Sequence, residues 1–168
     1  MLGVEIKKNF LDKELFKDLQ KLIMESEFSW FQRKTMVLNS NNNLGYFTHS
    51  FFNKNTINCN NYFKYIIPII NKLNACSIIE IRANLIPSVF YKDDKSDFHI
   101  DYPYNNKTAI LYLHNCDGGT EFKIKDKIEF IQQEENKIVI FDSNIEHRGV
   151  KSKNTDFRYF LNFNYYQK

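Results

Sequence analysis

Apolar residues recur along this chain with two different periods, and the change from one to the other divides it. Leu11, Leu15, Leu19, Leu22 and Ile23 repeat at intervals of three and four, the spacing that places side chains on one face of an α-helix. Asp12 can accept from the first free backbone N–H groups, and Glu14 suits the positive end of the helix dipole. The pattern therefore predicts an amphipathic helix over 11–28 packed on a sheet. From 28 to 61 the period is lost. Short aromatic pieces, Phe28-Ser29-Trp30-Phe31 and Tyr46-Phe47-Thr48-His49-Ser50-Phe51-Phe52, alternate with Asn-rich turns such as Ser40-Asn41-Asn42-Asn43. The second piece either lines an entrance or fills core, and His49 within it reads as structural. Residues 60–73 predict a second helix, in which Pro68 disturbs the helix or marks the first turn of its ordered part.

Beyond Ser77 no helical period survives. Apolar and β-branched runs over 77–86, 107–115, 121–124, 128–131, 137–141 and 157–165 alternate with turn residues, including Tyr102-Pro103-Tyr104-Asn105-Asn106, Asp117-Gly118-Gly119-Thr120 and Lys125-Asp126-Lys127. Seven or eight short strands after two helices predict a mainly β protein with N-terminal helices and a jelly-roll core. No repeat or second domain shows. The expected organisation is a single domain over 1–168, with 1–76 as helical and aromatic support and 77–168 as the core.

Composition sharpens this. Sixteen Phe and ten Tyr against one Trp suit a β-rich core and argue against disorder. A net charge of +3, carried by dispersed Lys, disfavours nucleic acid as a partner. Cys59, Cys76 and Cys116 are an odd number without a CxxC pair, which suits a reducing compartment and offers no disulfide framework or zinc cluster. Met1-Leu2-Gly3-Val4-Glu5 lacks the features of a signal peptide, and the longest apolar run, Tyr65 to Ile70, is too short to span a bilayer. The expectation is a soluble, cytoplasmic protein without membrane contact.

The candidate chemistry lies at His99-Ile100-Asp101. On a strand, side chains at i and i+2 share a face, so an imidazole and a carboxylate can meet at one point. His147, from another strand, can add a third ligand. Two histidines and one carboxylate on one face of an octahedron leave three positions open, the arrangement of non-haem Fe(II) oxygenases. Arg158, in an aromatic-rich strand, could hold the far carboxylate of a dicarboxylic cosubstrate in bidentate fashion, with Tyr112 beside it. Zinc is a rival for the same ligands in a hydrolase, and a jelly roll that binds metal or sugar without turnover is a third reading. Arg82 and Asn84, polar residues inside a buried strand, either face a wet cavity or make plain structural hydrogen bonds. The charged stretch 91–97 reads as a solvated, mobile loop that gates substrate.

His99-x-Asp101, Tyr112-Leu113, Gly118-Gly119-Thr120-x-Phe122, His147 and Arg158 together resemble the prolyl-4-hydroxylase-type branch of the 2-oxoglutarate/Fe(II) dioxygenases. Ile81-Arg82-Ala83-Asn84-Leu85, Ile140-Phe141-Asp142-Ser143 and Phe160-Leu161-Asn162-Phe163-Asn164-Tyr165 are similar to short stand-alone members from phages and bacteria. The resemblance is strongest over 78–166. It implies a double-stranded β-helix core, Fe(II) on His99, Asp101 and His147, and 2-oxoglutarate held by Arg158 and Tyr112. Thr108, Ile110 and Asn84 would line the cosubstrate pocket. O₂ would be consumed, succinate and CO₂ released, and ascorbate would be an optional stimulant. The presence of Asp101 disfavours the halogenating variants that lose this carboxylate. His114 departs from the Asn common after the Tyr-Leu pair; as a residue on the face of Tyr112 it would touch the cosubstrate or a ligand. The resemblance favours a peptidyl, prolyl-type substrate and leaves a small molecule or nucleobase open.

Overall fold

A computed structural model describes residues 3–25, 27–34, 45–88 and 94–168. The first helix, α1 (Lys13–Met24), is shorter than its apolar pattern. Asp12 caps it by accepting from the Leu15 N–H at 2.9 Å, and Glu25 leaves it in an extended conformation. Leu11 and Phe28 are buried outside the helix and serve the same core. The second helical region is a π-turn over Tyr62–Ile66 that tightens into α2 (Ile67–Lys72). Pro68 sits in the first turn of α2, where a missing N–H costs no helical bond.

Eleven strands are present among the described residues: β1 (Val4–Lys7), β2 (Phe31–Arg33), β3 (Tyr46–Asn53), β4 (Thr56–Ile57), β5 (Ala75–Pro87), β6 (Lys107–Tyr112), β7 (Gly119–Ile124), β8 (Lys127–Gln132), β9 (Ile138–Asp142), β10 (His147–Val150) and β11 (Phe157–Gln167). The large antiparallel sheet runs β1-β9-β6-β11-β5-β3-β2, with β4 on β3, and the small one runs β10-β7-β8. This is the jelly roll expected. The turn Lys125-Asp126 closes the β7–β8 hairpin, with Lys125 at φ 55°. At Gly119 a Cβ would run into the Ile131 carbonyl and the Phe130 ring, so only glycine lets β7 and β8 approach there.

Strand alternation divides the large sheet between two cores. Ile81, Ala83, Ala109, Leu111, Leu161 and Phe163 point to the helices, against Phe16, Leu19, Ile23, Ile66 and Ile69. Ile110, Tyr112, Val139 and Phe141 point the other way, against Phe122 and Ile131 of the small sheet. Fully burying each large aliphatic side chain is worth about 1.5–3 kcal/mol, so both faces of the central strands are committed. Along β11 the inward series is Arg158, Phe160, Asn162 and Asn164. Register sets these opposite Ile86, Asn84, Arg82 and Glu80 of β5. Every rung thus carries a polar residue, and two of the four, Asn162–Arg82 and Asn164–Glu80, are polar on both strands.

Three sequence expectations need revision. His99-Ile100-Asp101 is not a strand: His99 makes one isolated bridge and Asp101 lies in a bend. The stretch 91–97 is not a free loop over its described part, 94–97. Lys95 bridges to Val150, the Ser96 N–H donates to the Gly149 carbonyl at 3.0 Å, and Lys95 pairs with Glu121 at 2.7 Å. Residues 91–93 and the Asn-rich turn 40–43 lie outside the described residues. The strand expected over 107–115 ends at Tyr112, so period-two alternation stops before His114. No helix among the described residues is long and apolar enough to cross a membrane.

Candidate metal centre and anion pocket

His99 and His147 face each other across a single antiparallel bridge. Each N–H donates to the other's carbonyl, at 3.0 and 2.9 Å, and their ring centroids are 4.5 Å apart. Each ring is aimed by the same local device. Nδ1 of His99 lies 3.2 Å from the Asp97 carbonyl, and Nδ1 of His147 lies 3.0 Å from the Ile145 carbonyl. A carbonyl only accepts, so Nδ1 carries the proton and Nε2 presents its lone pair inward. Both Nε2 atoms are 3.7 Å from Asp101 Oδ1, and one donor atom from each of the three residues lies within 4.8 Å of the others.

Asp101 is presented with equal care. Its N–H donates to the Ser143 carbonyl, and its outer oxygen, Oδ2, accepts from Thr108 Oγ1 at 3.2 Å and Asn162 Nδ2 at 3.3 Å. Asn164 donates to Asn162 Oδ1 at 2.7 Å, and Thr108 lies 2.7 Å from the Ser143 hydroxyl. Oδ1 is left turned to the histidines. Burial, then the nearby His147, push the His99 pKa down to about 4. Burial raises the Asp101 carboxyl, but His147, Arg82, His99 and the Asn162 hydrogen bond outweigh it and hold the group below its usual value. A neutral imidazole beside an ionised carboxylate is the state a divalent cation requires.

These groups line a cavity together with Arg158. Its side chain is 1% exposed. Nε donates to Gln133 Oε1 at 2.8 Å, whereas Nη1 reaches the Val150 carbonyl and Nη2 the Thr120 hydroxyl only at 3.4 Å. The guanidinium lies 4.7 Å from the Phe160 ring centroid. Among the described residues no carboxylate pairs with it, and burial lowers its pKa. A buried cation without an anion is costly, so the pocket suits an anionic ligand that reaches from Arg158 to the histidines.

The other sequence candidates fall differently. Ile110 and Asn84 line the cavity, while Thr108 and Tyr112 do not. Thr108 is spent on Asp101, Ser143 and Asn164, beneath the carboxylate rather than on the pocket wall. Tyr112 lies under Arg158, and its hydroxyl donates to Thr120 Oγ1 at 2.8 Å. His114 turns away from the cavity. Its Nε2 accepts the Tyr159 N–H at 3.2 Å, because the strand that would have aimed it inward has ended. Arg82 faces the cavity with Nη1 on Glu80 at 3.0 Å. His49 sits between Phe28 and Phe51, with Nδ1 2.9 Å from the Ser29 carbonyl, in a structural setting. Tyr46, from the aromatic piece read as lining an entrance or filling core, lines the cavity; sequence reasoning gave no site role to Thr120, Gln133, Phe160 and Asn162. Phe160 and Asn162 follow Arg158 at i+2 and i+4, a readable signal; Gln133, on a loop, had none.

No family model matches the sequence, and no curated protein does. Solved structures do match in fold. A Trichoplax adhaerens prolyl hydroxylase, in complex with a hypoxia-inducible-factor peptide fragment, is 16% identical with a TM-score of 0.71, covering 98% of this chain and 84% of that one. A 2OG-Fe(II) oxygenase family oxidoreductase from Burkholderia pseudomallei is 10% identical with a TM-score of 0.73, covering 99% and 86%. The epimerase SnoN, in complex with Fe³⁺, α-ketoglutarate and nogalamycin RO, is 11% identical with a TM-score of 0.65, covering 98% and 79%. The chain has the jelly-roll fold of the 2-oxoglutarate/Fe(II) oxygenases, and prolyl hydroxylases are among the structures that share it.

Proposed function

We propose that this protein is a 2-oxoglutarate- and Fe(II)-dependent oxygenase that hydroxylates a peptidyl side chain of prolyl type. The observation that carries the reading is the pairing, in one cavity, of an inward-facing His₂-carboxylate set with a buried guanidinium that has no carboxylate partner among the described residues. Zinc-promoted hydrolysis does not itself require that cation, whereas a dicarboxylic cosubstrate does. His99, Asp101 and His147 would hold the iron through Nε2, Oδ1 and Nε2. When bound, iron and 2-oxoglutarate supply the oxidising chemistry, consuming O₂ and releasing succinate and CO₂.

The chain's own residues do the rest. Arg158 offers its Nη edge to the distal carboxylate. Thr120 lines the cavity beside it and accepts from Tyr112, so its own proton remains to donate to the anion. Tyr112 acts through Thr120. Ile110, Ile86 and Phe160 exclude water between the anion and the metal positions, where an electrostatic contact gains strength as solvent is removed. The peptidyl substrate is supported by the fold likeness to a prolyl hydroxylase bound to a peptide fragment.

The test is anaerobic titration of the metal-free protein with Fe(II) and then 2-oxoglutarate, following the weak visible charge-transfer band of the chelate. The wild type should form the band and His99→Ala should not. Arg158→Ala should weaken 2-oxoglutarate binding by about 100-fold, as loss of a charge-assisted bidentate contact costs, with iron affinity retained. A wild type that binds iron and forms no band sinks the reading. Succinate release with prolyl peptides then tests the substrate.

A further inference from the structure

Arg158 belongs to the large sheet, but the bond that orients it comes from the small one. Gln133 is the first residue past β8 and is fully buried. Its N–H donates to the Gly118 carbonyl at 2.9 Å, and its Nε2 donates to the Tyr159 carbonyl at 3.1 Å. Those two anchors leave Oε1 facing Arg158 Nε at 2.8 Å. A carbonyl can only accept and a guanidinium can only donate, so both partners dictate the same orientation of the amide. The bonds to Val150 and Thr120, both 3.4 Å, are at the long limit of a hydrogen bond. The Phe160 and Tyr112 rings flank the guanidinium at 4.7 and 5.7 Å, with Tyr112 also in hydrogen-bonding reach, and limit its tilt without fixing which edge faces the cavity. Nε is thus occupied, and the Nη1–Nη2 edge is the part left for the cavity.

The amide's neutrality matters as much as its position. A carboxylate in the same place would satisfy Nε equally well, but it would neutralise the cation and repel an incoming anion. An apolar residue would leave Nε unpaired and the fork free to turn. Only a neutral acceptor fixes the fork and preserves its charge.

We infer that Gln133 is a positioning residue for the anion pocket. It holds Arg158 as an end-on fork with an unspent charge, and so sets the preference for dicarboxylic over monocarboxylic 2-oxo acids. The inference rests on the cosubstrate reading proposed above for Arg158.

The experiment compares 2-oxoglutarate with 2-oxovalerate, which has the same chain length and lacks the distal carboxylate. Both are titrated calorimetrically, without O₂, into the Fe(II)-loaded wild type, Gln133→Met and Gln133→Glu. Met matches the length of Gln, and Glu matches its shape. The 2-oxoglutarate Kd should rise about tenfold in the Met variant and at least about a hundredfold in the Glu variant. The 2-oxovalerate and iron Kd values should stay at wild type, which also certifies the fold. Variants that keep the wild-type ratio of the two 2-oxo acid affinities, or that weaken both ligands equally, overturn the positioning role alone. A wild type that shows no preference between the two overturns the Arg158 reading and this inference together.

Discussion

Thr108 has one proton and three polar neighbours, of which two can only accept it. The Ser143 hydroxyl accepts from Asn106 Nδ2 at 2.7 Å and so can donate to Thr108. Thr108 in turn faces Asp101 Oδ2 and Asn164 Oδ1. Both routes, the direct one and the one through Asn164 and Asn162, end on the outer oxygen of Asp101. The network keeps Oδ1 for the cation. Thr108→Val conserves shape and removes the hydroxyl. It should lower Fe(II) affinity by about 10–100-fold, the usual cost of losing a partner behind a ligand, while the preference for 2-oxoglutarate over 2-oxovalerate is unchanged. An iron titration with wild-type affinity would show that Asn162 and the backbone hold Asp101 without Thr108.

At the scale of elements, the start of β11 is gripped on both sides: Gln133 takes the Tyr159 carbonyl and His114 accepts its N–H. His114 can do this only when neutral, and burial followed by the charge of Arg158 pushes its pKa below 6.5. The folded state therefore binds a proton less readily than the unfolded chain. Stability from this contact is fully present above pH 6.5 and is lost as pH falls through that value toward the lower folded one. His114→Asn keeps an acceptor without a titration, so urea unfolding should lose less stability between pH 7 and 5 in the variant than in the wild type. Equal losses would remove His114 from the account. The same position shows where the sequence was legible. Strand periodicity placed Ile110 on the cavity wall because β6 continues through it, whereas His99 and Asp101 meet His147 without a strand: His99 makes one isolated bridge, and Asp101 lies in a bend held by its N–H on the Ser143 carbonyl. It misplaced His114 because no local signal marks where β6 stops pairing. It also read Thr108 by its face alone, whereas its Oγ1 is engaged by neighbours from three other segments. Gln133 was invisible for a related reason: its role exists only once the two sheets are stacked.

For the whole molecule, the candidate metal ligands straddle the sandwich. His147 belongs to the small sheet and His99 bridges to it, whereas Asp101 is fastened to β6 and β11 of the large sheet through Thr108 and Asn162. A cation there would join the sheets, so binding and folding should be linked. At a metal concentration about 100 times its Kd the linkage is worth about 2.7 kcal/mol. For a chain of this size that raises Tm by roughly 5–10 °C. Anaerobic calorimetry with and without Fe(II) should show the shift, chelator should abolish it, and Asp101→Ala should lack it. The cavity walls also divide by role. The metal positions and the anion fork draw on the segment 97–101, β6, β7, β10, β11 and the Gln133 loop, while Tyr46 and Arg82 come from β3 and β5. For natural variation the labour divides within that wall: Tyr46 on β3 can change without touching the metal ligands, whereas Arg82 helps keep Asp101 ionised and Ile86 lines the cavity with the anion fork, so β5 is bound to the machinery.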